Sequence, residues 1–322
     1  MLFIYFVIFI LSFFILAKSG GVLVKLTSKI SAFFEISEFL FSFIVIGFAT
    51  SLPEIFISIS AAISGNSVLA FGNTIGSNII YPTLLVGLVV LVASKITVIS
   101  YKEVLNKNTF YVFGISLLPL FFMLDLNLSR VEGIFLLAVF FFYLLYLIKK
   151  RELFPRRIYT NKEAKILFSV NEFIKNLFYL ILSFMFLYIG SEGVVRSTLG
   201  IVSELKVSLI FISIFIVALG AALPEIVFSV QAALRGKKEV IMGNMMGSLA
   251  VNSSLALGVA AIINPINIQQ NIRFFYISAA AAFCALLFFV IFVRSGNILS
   301  RREGIAMVLF YILFAAAAYF FK

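Results

Sequence analysis

The chain has 322 residues, of which 63% are hydrophobic and 12% charged, whereas a soluble protein carries roughly 25% charged residues. Its apolar runs reach the length of about 20 residues needed to cross a bilayer as helices. They lack the period-two alternation that marks barrel strands in pieces of about 10 residues. The composition therefore excludes a soluble globule and a β-barrel and points to an all-α polytopic membrane protein. A single cysteine, Cys284, leaves no disulfide or thiol metal site, and the absence of histidine removes the usual zinc ligand and proton relay. The 25 basic against 14 acidic residues are read as a record of membrane orientation and not as a nucleic-acid surface.

The first apolar run, from Leu2 to about Ala17, has no basic residue ahead of it and no cleavage motif near Lys18 to Gly21. It reads as the first span and not as a signal peptide, and it continues past Gly20-Gly21. Further spans are expected near 39–64, 68–93, 109–124, 131–148, 174–195, 207–234, 240–263, 273–293 and 303–321, ten in all. The first five fill residues 1–148 and the last five 172–322, with a linker at 149–171 that carries Lys149, Lys150, Arg151, Arg156 and Arg157. That linker reads as a solvated, lipid-facing basic segment, too short for a folded domain.

An odd number of spans per half places the halves in opposite orientations, as inverted repeats do in secondary transporters. Basic residues support this arrangement. Twenty of the 25 fall in the linker and in the loops after spans one, three, seven and nine, including Lys18, Lys25 and Lys29. The linker face is thus expected to be cytoplasmic, with both termini outside and the chain multi-pass in the cell membrane.

The halves match at an offset of 171 residues. Gly47-Phe48-Ala49-Thr50-Ser51-Leu52-Pro53-Glu54 corresponds to Ala218-Leu219-Gly220-Ala221-Ala222-Leu223-Pro224-Glu225. Gly72-Asn73 and Gly76-Ser77 return as Gly243-Asn244 and Gly247-Ser248, and Ser58, Ala61, Ala62, Gly65 and Gly87 return as Ser229, Ala232, Ala233, Gly236 and Gly258. The matching cores span 41–92 and 212–263.

Glu54 and Glu225 sit deep in apolar runs, where a carboxylate costs about 2.5–3.5 kcal/mol on insertion scales. Such a group faces a cavity or a partner. Pro53 removes an amide hydrogen and frees carbonyls near Ala49 and Thr50, which transporter helices tolerate where they line a cavity. Thr50 and Ser51, four and three residues before Glu54, are expected on its side of the helix. Carboxylate, hydroxyl and carbonyl oxygens together suit a hard cation such as Ca²⁺. Asn73, Ser77 and Tyr81 follow at spacing four, as do Asn244, Ser248 and Asn252. Alone, a proline is a kink and a Gly-x-x-x-Gly pair a packing surface. Two glutamates at equivalent positions, each behind a proline and ahead of a Gly-Asn-x-x-Gly-Ser helix, weigh towards a site. Glu103, Glu132, Glu152 and Glu163 read as solvated, and Glu35, Glu38, Asp125, Glu192 and Glu204 as span-end residues.

Thr50-Ser51-Leu52-Pro53-Glu54 with Gly72-Asn73-Thr74-Ile75-Gly76-Ser77-Asn78 resembles the first alpha repeat of the sodium/calcium exchanger branch of the calcium/cation antiporters. Residues 218–225 and 243–248 resemble the second. The resemblance implies a midplane site where Ca²⁺ and Na⁺ compete, with alternating access from the two sides. By position it assigns ligand roles to Glu54, Glu225, Thr50, Ser51, Ser77, Ser248 and Asn252, and carbonyl roles to Gly47, Ala218 and Ala221. Two departures stand out. Ala221-Ala222 replace the family's Thr-Ser pair, and Tyr81 stands where the family has an amide. The half around Glu54 is thus expected to keep its hydroxyls and the half around Glu225 to lack them. Exchange of Ca²⁺ for Na⁺ is the leading expectation, with proton-coupled exchange of a divalent cation as the alternative. A non-transporting receptor or scaffold is disfavoured by the short linker. The sequence shows no nucleophile–base pair or cofactor motif, so neither catalysis nor a cofactor is expected. The only partners expected are lipid and inorganic cations, with the chain monomeric.

Overall fold

The computed structural model describes residues 2–34, 36–93, 95–97, 102–150, 170–202, 213–268, 272–296 and 298–320. The first half runs α1 (Leu2–Phe33), α2 (Glu38–Phe41), a π-helical turn (Ser42–Ile46), α3 (Gly47–Thr50), α4 (Leu52–Ile63) and α5 (Val68–Ile80). A second π-helical turn (Tyr81–Leu85) leads to α6 (Val86–Ala93), β1 (Lys95–Thr97), α7 (Lys102–Phe122), β2 (Asn127–Leu128) and α8 (Arg130–Lys149). The second half runs α9 (Val170–Val202), a π-helical turn (Ser213–Val217), α10 (Ala218–Ala221), α11 (Leu223–Leu234) and α12 (Lys238–Ala250). It continues through a π-helical turn (Val251–Ala256), α13 (Leu257–Ile263), β3 (Ile266–Asn267), α14 (Ile272–Gly296), β4 (Ile298–Ser300) and α15 (Arg301–Phe320).

The offset read from the motifs extends to the punctuation of the fold. Gly65 and Gly236 both have positive φ, +77° and +67°, and each ends its helix after a pair of alanines. Asn66 N–H bonds Ala61 O and Lys237 N–H bonds Ala232 O, at 2.8 and 2.9 Å. A left-handed residue just past a helix end is where glycine avoids the Cβ penalty. Helices α8 and α15 open on equivalent caps. Ser129 N–H donates to Glu132 Oε2 at 2.7 Å and Ser300 N–H to Glu303 Oε2 at 2.6 Å, each answered by the glutamate's amide on the serine hydroxyl. Glu132 is therefore a capping residue and not a merely solvated one. Asp125, expected at a span end, is exposed and accepts the Asn127 amide at 3.0 Å.

Among the described residues, six helices are long and apolar enough to cross a membrane, or seven counting the bent pair Glu38–Thr50 and Leu52–Ile63, which turns by 42°. The chain is a multi-pass helical membrane protein built of two repeats. The other three expected spans, near 2–17, 207–234 and 303–321, run in part over residues or side chains outside the described set. One placement changes: α1 is helical through Phe33, so Lys18, Lys25 and Lys29 ride on a helix and not in a loop. At about 1.5 Å per residue, 32 residues outrun a 30 Å hydrocarbon core. Residues 151–169 of the basic linker, together with Glu35, Glu204 and Lys206, lie outside the described residues, as do the side chains of Glu103 and Glu192.

The repeats interlock. Val68–Ala93 and Lys238–Ile263 are 78% buried over their apolar stretches, against 28% for Arg130–Lys149, whose Val131, Ile134 and Phe142 are exposed in the manner of lipid-facing side chains. Each central helix packs on the opposite repeat, α12 against the turn at Ser42–Ile46 and α5 against the turn at Ser213–Val217. Glycines make these crossings close. A Cβ on Gly247 would lie 2.3 Å from Phe43 O, and one on Gly76 2.5 Å from Ile214 O. Gly133 and Gly258 meet in the same way, as do Gly87 and Gly304. Both small sheets also join the halves, β1 antiparallel to β4 and β2 antiparallel to β3. Glu38, expected only as a span-end residue, pairs with Lys237 of the other repeat at 2.9 Å.

Candidate cation site

The site forms where the two broken helices cross. Proline is tolerated in the first turn of a helix, where its missing N–H has no partner to lose, and Pro53 and Pro224 occupy that turn in α4 and α11. The chain therefore breaks at Ser51 and Ala222 and restarts. Glu54 and Glu225 fall in the first turn of the new helices, at the positive end of the helix dipole. No part of either glutamate is exposed.

The π-helical turns and the break redirect the hydroxyls. Ser51 Oγ donates to Glu225 Oε1 at 3.2 Å, across the repeat boundary and not to Glu54 three residues on. Ser248 Oγ lies 3.2 Å from the same oxygen and 3.3 Å from Gly47 O. Thr50 Oγ1 stands within hydrogen-bond distance of Ile46 O (2.9 Å) on its own helix and of Asn244 Oδ1 (3.1 Å), and its single hydrogen serves one of them at a time. Asn244 Nδ2 in turn reaches Ser229 Oγ at 3.4 Å. The hydroxyls of the first repeat thus serve the carboxylate and amide of the second. The expected asymmetry is reversed: the glutamate rich in hydroxyl donors is Glu225, and the methyl groups of Ala221-Ala222 leave Glu54 poor.

Glu54 is met from its own repeat by Tyr81, whose hydroxyl donates to Glu54 Oε1 at 2.9 Å and accepts from Asn252 Nδ2 at 3.1 Å. The sequence marked Tyr81 as a departure without showing this bond. The spacing of four from Ser77 placed it on the right face, and that signal could have found it. Behind it, Ser253 Oγ donates to Asn78 Oδ1 at 3.0 Å, and Asn78 Nδ2 to Ser116 O at 3.2 Å.

Five buried oxygens on this framework have no hydrogen-bond donor: Glu54 Oε2, Glu225 Oε2, Ser77 Oγ, Asn73 Oδ1 and Asn252 Oδ1. An undonated buried oxygen costs about 1–3 kcal/mol, and an unpaired buried carboxylate several. A hard cation removes both penalties, and an all-oxygen set with two carboxylates fits one in charge and in ligand type. Among the described residues no cluster of three or more Asp, Glu, His or Cys exists, so such a site relies on neutral oxygens around its two charges. Of the residues expected as ligands, Glu54, Glu225, Ser51, Ser77, Ser248, Asn252 and the Gly47 carbonyl belong to this framework. Thr50 stands beside Glu225 as well as Asn244. The Ala218 carbonyl accepts the Ala222 amide at 2.9 Å, and Ala221 is fully buried.

The symmetry explains one orphan. Asn244 Oδ1 has Thr50, but the equivalent Asn73 Oδ1 faces a repeat with alanine at 221. Ala221→Ser, which adds only an oxygen, is expected to supply that donor and raise the melting temperature in detergent. An unchanged or lower value would count against the equivalence.

A helical membrane protein of two interlocked repeats, with a buried pair of glutamates on broken helices, is the form of an ion carrier. The comparisons make this specific. The model of the family described as sodium/calcium exchanger protein matches residues 4–149 and 175–320, and the chain belongs to that family. Its relatives include the sodium/calcium exchanger MaX1 of Methanosarcina acetivorans, 25% identical with 98% of each chain covered. The inner membrane protein YrbG of Escherichia coli K12 is 26% identical, covering 77% of this chain and 76% of its own. Among solved structures, the sodium-calcium exchanger NCX_Mj, soaked with Na⁺ and Ca²⁺ or with Na⁺ and Sr²⁺, superposes with a TM-score of 0.80. That match has 25% identity and covers 98% of this chain and 99% of the other. The family's members are exchangers and not enzymes.

Proposed function

We propose that the chain is a secondary antiporter that moves Ca²⁺ out of the cell in exchange for Na⁺. The observation that carries this reading is the meeting of Glu54 and Glu225, fully buried, each with one carboxylate oxygen lacking a donor. Two ionised glutamates balance the charge of one Ca²⁺. Na⁺ would compete through Ser51, Ser77, Ser248, Asn252 and the carbonyls of Gly47, Ala218 and Ala221, with Thr50 supporting them through Asn244. Both kinds of ion are cargo.

Ten spans in two inverted repeats of five complete the reading. Strand pairing supports the inversion. β1 and β2 stand at opposite ends of α7, and β3, the equivalent of β1, pairs with β2. Equivalent strands therefore end at opposite faces. With the linker cytoplasmic and both termini outside, α1 and α9, which pack on each other and on the broken helices, would slide across the site to open each face in turn.

Proteoliposomes loaded with Na⁺ are expected to take up radiolabelled Ca²⁺ when diluted into Na⁺-free buffer, with a membrane potential accompanying net charge movement. Uptake that follows a pH gradient in the complete absence of Na⁺ would overturn the Na⁺ coupling. It would favour proton-coupled exchange, the reading that the missing hydroxyls at Ala221-Ala222 support.

A further inference from the structure

Tyr81 and Asn252 stand at equivalent positions, 171 residues apart, and bond to each other. Their contact therefore lies at the symmetry axis between the repeats, beside both glutamates. The geometry also orients the bond. Asn252 donates through Nδ2, and a phenol has one hydrogen, which leaves the Tyr81 O–H to Glu54 Oε1.

This donor differs in kind from those at Glu225. The serine hydroxyls of Ser51 and Ser248 rotate about a single bond and keep lone pairs to turn towards a cation. Tyr81 is the largest fully buried side chain among the described residues. Its oxygen lies in the plane of a ring packed on every side, and it is held by Asn252. It cannot swing aside when an ion arrives without vacating the ring's own volume. Glu54 therefore offers Oε2 without competition, whereas Oε1 offers only the lone pair that the phenol leaves, and a donor fixed at 2.9 Å disfavours chelation through both oxygens.

We propose that Tyr81, held by Asn252, sets the ion preference of the site by keeping Glu54 monodentate. This inference rests on the reading of the site as a carrier of divalent cations. Ca²⁺ and larger ions take 6–8 oxygens and gain most from bidentate carboxylates, whereas smaller divalent ions are satisfied by six. A glutamate kept from chelating through both oxygens narrows the advantage of the larger ions. Tyr81 is thus a positioning residue for Glu54, and its hydroxyl, not its ring, carries the effect.

Transport by wild type, Tyr81→Phe and Asn252→Ala in proteoliposomes tests this with Sr²⁺, Ca²⁺ and Mn²⁺ in competition. Phenylalanine keeps the ring and frees Glu54 Oε1, so the KM ratio of Mn²⁺ to Sr²⁺ should rise at least threefold. Asn252→Ala loosens the phenol but also removes the Oδ1 assigned to the site, so it should shift the ratio in the same direction by less while lowering uptake of all three ions. A purely structural role for Tyr81 would lower uptake of all three ions together and leave the ratio unchanged. An unchanged ratio in Tyr81→Phe, with uptake still measurable, overturns the proposal alone. Wild type that moves none of these ions under any imposed gradient overturns the carrier reading and this inference with it. Should Tyr81→Phe be too unstable for transport, equilibrium competition of the same ions on detergent-solubilised protein reads the same ratio.

Discussion

Glu54→Gln and Glu225→Gln are each expected to abolish uptake of radiolabelled Ca²⁺ by Na⁺-loaded proteoliposomes. Glutamine keeps the shape and one acceptor oxygen, so the hydroxyls of Tyr81, or of Ser51 and Ser248, retain a partner. Only the charge is lost. A bound divalent cation then faces a single buried carboxylate where it needs two. Truncating one partner of a buried charge pair costs about 2–5 kcal/mol, a fall in affinity of roughly 30- to 5,000-fold. Because the repeats contribute one charge each, the two variants should be comparably impaired, although Glu225 accepts two hydroxyls and Glu54 one. Both proteins should still elute as single species in detergent, since removing an unpaired buried charge relieves the fold. Uptake at the wild-type level in either variant would sink the assignment of that carboxylate.

The second large effect concerns the helix crossings. Gly76→Ala places a Cβ 2.4 Å from Ala218 Cβ and 2.5 Å from Ile214 O, and backbone atoms cannot yield as a flexible side chain can. Overpacking of this kind typically costs 1–3 kcal/mol or more, and here it also pushes α5 away from α10. The expected outcome is loss of most of the monodisperse protein on size exclusion in detergent, and loss of transport in what remains. Gly114→Ala is the internal control. It lies in α7 with nothing within 4 Å of the added Cβ, and alanine there is expected to be neutral or slightly stabilising. Equal yields of the two variants would show that the crossing at Gly76 is loose.

These variants mark what was legible in the sequence. The repeats, the breaks at Pro53 and Pro224 and the depth of both glutamates follow from an apolar background in which a few charges and prolines stand out. The caps at Ser129-x-x-Glu132 and Ser300-x-x-Glu303 are local patterns too, yet Glu132 reads above as a solvated residue and the structure corrects it. The partners of the hydroxyls were not legible. Spacing assigns Thr50 and Ser51 to the face of Glu54 only if one helix runs through all three, and the chain breaks at Ser51 after a π-helical turn. Where those hydroxyls point is decided by the crossing with the other repeat, 171 residues away. The bond from Tyr81 to Glu54 is hidden for the same reason, since it joins α4 to the turn that follows α5.

The strand pairs that join the halves also bear on how the protein is made. β1, at Lys95–Thr97, has its partner at Ile298–Ser300. At a synthesis rate of roughly 5–20 residues per second, that partner leaves the ribosome about 10–40 s later. Through that interval the first repeat sits in the bilayer without the helices that its glycine faces are shaped to meet. Two newly made chains side by side offer each other the same complementary halves.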